Sequence, residues 1–447
     1  MKEQERNTGP TYQLCEFLAG SRFSDLPSDA VHAARRGLLD WLGCAFAGST
    51  QPSLDVLLSV LREVGGREQA TVLGRKLKLG VLDAPVANGY MGHALDYDDT
   101  HSTTLHPSSP VLSALLALCD HKPRDGKSFV LAYACGLEMG VRAGKASPAH
   151  HKGGWHLTGT LGALAAGAGA AKLLGLDARQ FAHAVGIAAS QAAGLQQNRG
   201  TMPKYLHAGK AASSGVLSGL LAERGFDASL DVMEGVRGFS RIYSEIAQPE
   251  RLTESLGAPW EISRNGHKPY ASAVVLHPIV DAMIDIRSRI SLDLRKVSSI
   301  ELSIHPYVKS ITGVLEPESG MQSKFSLTHT AAVALFDGAG GIRQYSDEQV
   351  LNPEVKALRN KVRFTIDESL AVDQARARIT AGGETYESFI EHQTGTIANP
   401  MTDKAIEEKF TANTEPVIGA ARAARVRELA WKIETLPDLR ELTAACA

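Results

Sequence analysis

Thr158-Gly159-Thr160-Leu161-Gly162-Ala163-Leu164-Ala165-Ala166-Gly167-Ala168-Gly169-Ala170-Ala171-Lys172-Leu173-Leu174 decides how the first half of this chain folds. The stretch carries one charge, Lys172, and is otherwise built mainly from Ala, Gly and Leu. It is too long for a strand and falls short of a comfortable membrane span, so it reads as a buried helix. Small side chains along such a helix let neighbouring axes come close, which calls for other helices around it.

Those helices are legible on both sides. Pro27-Ser28-Asp29 opens one, with Ser28 or Asp29 as its cap; Val31, Ala34, Leu38, Leu42 and Ala45 then share a face, and Gly48 is a natural stop. Residues 110–118, 128–141, 178–193 and 209–223 repeat the pattern, so the first 250 residues read as almost wholly helical. The period is too irregular for a solenoid. Near His267 the pattern changes. Residues 273–290 still read as helix, but Val297–Ile304 alternates like a half-buried strand. A helix over 325–337 ends at Gly338. Residues 361–366, 375–380 and 385–391 read as further strands, with Gly382-Gly383 as the turn between the last two. Helix returns at 405–410 and 417–431, with Pro416 suited to a first helical position. The expected fold is mainly α: a large, discontinuous all-α domain (1–266 and 401–447) with a small inserted α+β domain (267–400).

Composition narrows the function. The 447 residues are 44% hydrophobic and 21% charged, with a formal net charge of −2. There is no global basic field of the kind nucleic acid selects. The first seven residues are polar and contain no apolar signal segment. Cys15, Cys44, Cys119, Cys135 and Cys446 form no Cys-x-x-Cys pair, which argues against an iron–sulfur or structural zinc site. An odd thiol count without a signal segment fits reduced core cysteines in a cytoplasmic protein.

Four segments carry chemistry. From His93 to His106 the chain packs three carboxylates, three imidazoles and three threonines between apolar stretches. Groups that dense are costly to desolvate unless something uses them. One reading is an acid/base loop in which Asp96 tunes an imidazole and His106 meets substrate. A second is a polar loop capping nearby helices. A third is a divalent-metal site on Asp96, Asp98 and Asp99, weakened by the histidines and by the lack of a Gly-rich phosphate loop. The segment His150-His151-Lys152-Gly153-Gly154-Trp155-His156 runs into the long apolar helix, so His156 lies where free N–H groups attract anions; His150 and His151 read as surface residues. Lys204 and His207 are three apart and share a face if helical. Lys268, in Asn265-Gly266-His267-Lys268-Pro269-Tyr270, stands at the expected domain boundary, a favoured place for ligand sites.

These segments, in this order, resemble the MmgE/PrpD family, which includes 2-methylcitrate dehydratase, cis-aconitate decarboxylase and iminodisuccinate epimerase. The likeness rests on H-A-L-D-Y-D-D-T at 93–100, L-H-P-S-S at 105–109, G-W-H-L-T-G-T at 154–160 and K-Y-L-H-A-G-K-A-A at 204–212. It implies a homodimer, no organic cofactor or catalytic metal, and small di- or tricarboxylate substrates. It places the pocket on Asp96, Thr100, His106, His156, Lys204, His207 and Lys268. Two positions depart from the decarboxylase: Ala273, where it has a histidine, and His329, where it has a tyrosine. The chemistry implied is proton transfer beside a carboxylate. His106, oriented by Asp96, is the expected acid/base. Lys204, Lys268 and His156 would hold carboxylates, with Thr100 and His207 in support. A dehydratase-type lyase is the first expectation; an epimerase, a decarboxylase and a non-catalytic carboxylate binder are the alternatives.

Overall fold

The structure, a computed structural model, describes residues 9–103, 106–289 and 293–447. The polar leader at residues 1–7, Leu105 of the L-H-P-S-S motif and the helix end expected at Ile290 lie outside the described residues. The chain is mainly α, with a small α+β part, and divides into two units. One comprises 1–94, 98–265 and 403–447; the other comprises Leu95–Tyr97 and 266–402.

In the first unit the apolar stretch is the helix Leu157–Leu174, ended by Gly175 in the left-handed region. It passes a length-and-composition test for a membrane span, yet 89% of that window is buried inside the protein. Helices Ser108–His121, Gly126–Ala146, Ala178–Ala189 and Pro203–Glu223 pack against it, as its small side chains require. Helix Pro203–Glu223 also packs on Ala84–His93, backbone against backbone: a Cβ added to Gly209 would lie 2.1 Å from the Val86 carbonyl oxygen. Helix Ser28–Gly48 receives the C-terminal helices Asp403–Ile418 and Ala420–Trp431. All five cysteines are buried free thiols.

Two sequence expectations need correction here. Residues 70–79 form an antiparallel hairpin, Ala70–Val72 with Leu77–Leu79, whose three-residue strands are too short to show a period. Pro416 does not open the last long helix; it lies inside Asp403–Ile418, two residues from its end. There its missing N–H removes a single hydrogen bond. The break comes at Gly419, whose φ of 80° only glycine adopts cheaply.

The second unit is a four-stranded sheet in the order Val362–Ile366, Val297–Ile304, Ala375–Ala381, Glu384–Ile390. The first two strands are parallel and the other pairs antiparallel. Gly382 and Gly383, both at positive φ, make the tight turn expected of them. Ile300, Leu302, Ile304, Ala375, Ala377 and Ile379 share one buried core with helices His277–Arg289 and Leu327–Asp337. The opposite face is polar, with Arg363, Glu301, Arg378 and Glu387 in one cross-strand row.

Candidate active site

His93 is the last residue of helix Ala84–His93 and is fully buried. Beyond it the chain folds back so that one carboxylate serves two imidazoles. His93 Nδ1 lies 3.0 Å from Asp98 Oδ1, and His106 Nδ1 lies 3.3 Å from the same oxygen. His106 Nδ1 is also 2.8 Å from the Asp99 carbonyl oxygen. A carbonyl only accepts, so His106 carries its proton on Nδ1 and, when neutral, keeps a lone pair on Nε2. That is the tautomer a general base needs. Within this unit the orienting partners of His106 are thus Asp98 and the Asp99 main chain.

The Asp99 side chain accepts from the Ser108 amide and hydroxyl and from the Asn265 amide, and Ser108 in turn meets Tyr133. Burial and the neighbouring Asp98 charge push its carboxyl up to about 8, so it is largely protonated at neutral pH. A neutral Asp99 leaves Asp98 as the charge facing the imidazoles. Thr100 follows, partly buried. His93, Asp98 and His106 offer ligand atoms within 4.8 Å of one another, a mixed nitrogen and oxygen set unlike the all-oxygen surroundings that magnesium and calcium select.

A second group lies against the first. His156 immediately precedes helix Leu157–Leu174, and its Nδ1 is 2.9 Å from His207 Nδ1. The His93 ring stacks on His156 with centroids 5.5 Å apart and lies 4.6 Å from the His106 ring. Lys204 is buried in the first turn of helix Pro203–Glu223, one turn before His207, and its ammonium lies 5.6 Å from the Tyr205 ring centroid. Burial, then the charges of His93, Lys204, His207 and His106, hold the His156 imidazolium well below its ordinary range. Burial and Lys204 lower His207 in the same sense. Both rings are therefore neutral at physiological pH. His156 Nε2 and Thr158 Oγ1, buried at the start of the helix, have no hydrogen-bond partner among the described residues.

The second unit holds the other two expected residues. Lys268 is buried, with Nζ 2.6 Å from the Asp96 carbonyl oxygen and 3.2 Å from Asp96 Oδ1. Lys324 reaches the carbonyls of Leu95 (2.7 Å) and Ala271 (2.8 Å), and the Tyr97 hydroxyl donates to the Pro269 carbonyl at 3.0 Å. Residues 95–97 are thus tied down by two buried ammonium groups and a phenol. Asp96 sits at φ 51°, a strained conformation for a residue with a Cβ.

His150 corrects an expectation: it is 1% exposed rather than on the surface, packed on Phe239, Tyr243 and Trp155 and bonded to Thr160. His151 is partly buried beside Arg199. His329 is a core residue of the second unit, its Nε2 2.9 Å from the Gln344 carbonyl oxygen. His93, Asp98, Asp99 and Lys324 were given no catalytic role from the sequence, Asp98 and Asp99 being named only as possible metal ligands. The density of the 93–106 cluster flags the first three without saying which carboxylate meets which imidazole.

Comparison with known proteins places this geometry in context. The MmgE/PrpD N-terminal domain matches residues 12–252, and the MmgE/PrpD C-terminal domain matches residues 270–435. The chain is 27% identical to cis-aconitate decarboxylase of Aspergillus terreus, over 98% of this chain and 96% of that protein. It is 26% identical to cis-aconitate decarboxylase of Homo sapiens, over 97% and 93% of the two chains. The corresponding Mus musculus protein is 25% identical, over 97% and 92%. With both domain matches spanning most of its length, the chain belongs to the MmgE/PrpD family.

Proposed function

We propose that the chain is a lyase that acts on a small di- or tricarboxylate by proton transfer at a carbon next to a carboxylate. The observation that carries this reading is His106, buried and held by Asp98 and the Asp99 carbonyl in the tautomer whose Nε2 is unprotonated, with the His93 ring packed against both it and His156, and with His207 and Lys204 beside His156. A carbanion next to a carboxylate needs a base or acid at carbon and positive charge or donors at the carboxylate. His106 serves the first need. Lys204 and His156 serve the second, near the N–H groups that open helix Leu157–Leu174. Thr100 and His207 support them. Lys268 holds Asp96 and so acts on the geometry of the 95–97 segment. All these roles are filled by side chains, and no cofactor is invoked.

Two fates of the carbanion follow. Full-length likeness to proteins named cis-aconitate decarboxylase favours its formation by loss of CO2 and its quenching by a proton. Dehydration, in which a base removes the proton and a β-hydroxyl leaves, uses the same groups. Ala273, where the decarboxylase pattern has a histidine, favours that second reading.

Proton NMR of the purified protein in D2O, with cis-aconitate, citrate, 2-methylcitrate, malate and iminodisuccinate, tests both. Deuterium beside a carboxylate with release of CO2 identifies decarboxylation. Interconversion of hydroxy acid and alkene identifies dehydration, and deuterium with inverted configuration alone points to epimerisation. Turnover is expected to survive prior treatment with a chelator. No deuterium in any acid, with no CO2 release and no interconversion of hydroxy acid and alkene, would overturn the reading.

A further inference from the structure

The 2.9 Å contact between His156 Nδ1 and His207 Nδ1 has no part in the proton transfer at His106. Two imidazole nitrogens at that distance share one proton, so one ring donates and the other accepts. The pair therefore has two neutral states. In one, His207 Nδ1–H donates to His156 Nδ1, and His156 carries its other proton on Nε2. In the other, His156 donates and its Nε2 is a lone pair. His156 is 3% exposed and its Nε2 has no hydrogen-bond partner among the described residues, whereas His207 is only partly buried. Gly159 and Gly194 keep the room for this contact: a Cβ on Gly159 would lie 3.0 Å from His207 Cβ, and one on Gly194 3.3 Å from His207 Nδ1.

We propose that His207 and His156 form a two-imidazole relay that carries a solvent proton to the buried active site. The inference rests on the lyase reading and deepens it. Neutral His106 has no proton on Nε2 and acts as the base; where the carbanion is quenched, the neighbouring His156 gives it the Nε2–H proton, forming the C–H bond. His207 Nδ1–H passes its proton to His156 Nδ1, and His207 Nε2 takes one from water. One proton leaves solvent, one reaches carbon, and both rings remain neutral. When product leaves, water reprotonates His156 Nε2, the inner proton hops back, and His207 Nε2 returns a proton to solvent. Neutrality of both rings at physiological pH, caused by burial and the nearby Lys204 charge, suits a relay that never stores a cation. His207 is then a positioning and relay residue, with His156 the group that meets substrate.

The test pairs a kinetic with a spectroscopic readout. His207→Ala leaves a space of imidazole size. It should lower kcat at least tenfold with KM changed less than threefold, and added imidazole should restore turnover saturably. His207→Gln, which fills the space without a second titratable nitrogen, should stay slow and unrescued. Nitrogen-15 histidine labelling of the unmodified protein should show a coupling across the His156–His207 hydrogen bond, lost in both variants. Full activity in His207→Ala, or a loss that imidazole does not restore in a folded variant, overturns the relay and leaves the lyase reading standing. A protein inactive on every acid overturns the lyase reading; absence of the coupling then overturns the shared proton on its own.

Discussion

Asp98 and Asp99 are adjacent in sequence, yet their surroundings give them opposite work. Asp98 faces two imidazoles, so its charge is what fixes His93 and His106. Asp98→Asn keeps the volume and an acceptor but removes that charge. Turnover should fall by about 10²-fold, within the usual share of acid–base catalysis. The far-UV circular dichroism should be unchanged; unaltered kcat would overturn the assignment. Asp99 faces hydroxyls and an amide, and folding raises its pKa from roughly 3.9 to about 8. The native chain thus holds a proton that the unfolded chain releases from about pH 4 upward. Its stabilising effect is full at low pH and is lost as pH rises through the folded value. Asp99→Asn lacks this proton and can be accommodated by turning the Asn265 amide, whose Oδ1 is buried with no hydrogen-bond partner among the described residues. Between pH 5 and pH 8, urea unfolding should show the variant gaining on the native chain. A constant difference across that range would refute the shift.

The helices that carry these residues depend on close approach, and this part of the fold was legible. Ala and Gly at helical spacing announced tight packing, and one of the close crossings lies at the site itself. Gly209 on helix Pro203–Glu223 touches the backbone of helix Ala84–His93, which ends in His93. Gly209→Ala must push apart the elements that bring Lys204 and His207 towards His93. A loss of about 1–3 kcal/mol, as for overpacked cores, and a lower kcat are expected together. Gly20→Ala, with nothing within 4 Å of the new methyl, is the control and should change neither. Calorimetry and kinetics on both variants check this, and an unaltered Gly209→Ala would show that the crossing is slack. The same reasoning shows why other elements were misread. Hairpin strands of three residues show no period. Pro416 looked like a helix start because proline favours that position, but Gly419 supplies the actual break. In strand Val297–Ile304 a register shift between Val297 and Ser299 buries Val297 on the side that strict alternation assigns to the solvent.

At the scale of the whole molecule, the 93–101 motif is divided between the two units. His93 and Ala94 belong to the first, Leu95–Tyr97 to the second, and the chain re-enters the first at Asp98. Sequence showed that this motif matters, because titratable groups crowd between apolar runs. It could not show that Asp96 and Asp98, two residues apart, belong to different units, because no local period records that. The division separates the lysines as well. Lys268 is committed to Asp96, its side chain 0% exposed and bonded to both the carbonyl and the carboxylate of a residue held at positive φ. Lys268→Met would leave that carboxylate buried without this cation, a change that typically costs about 3–5 kcal/mol. Lys204 opens a helix whose packing is carried by the residues that follow, and its charge acts on His156 and His207. Two methionine variants should therefore fail in different ways. Lys268→Met should lose thermal stability and turnover together. Lys204→Met should keep a melting temperature close to that of the native chain while kcat/KM for a tricarboxylate falls by about 10²-fold or more, as when a charged hydrogen bond worth several kcal/mol is removed from a transition state. A Lys268→Met protein that is stable but inactive would return that lysine to the substrate-binding role expected from sequence. A Lys204→Met protein that unfolds early would make Lys204 structural and leave His156 to hold the carboxylate without it.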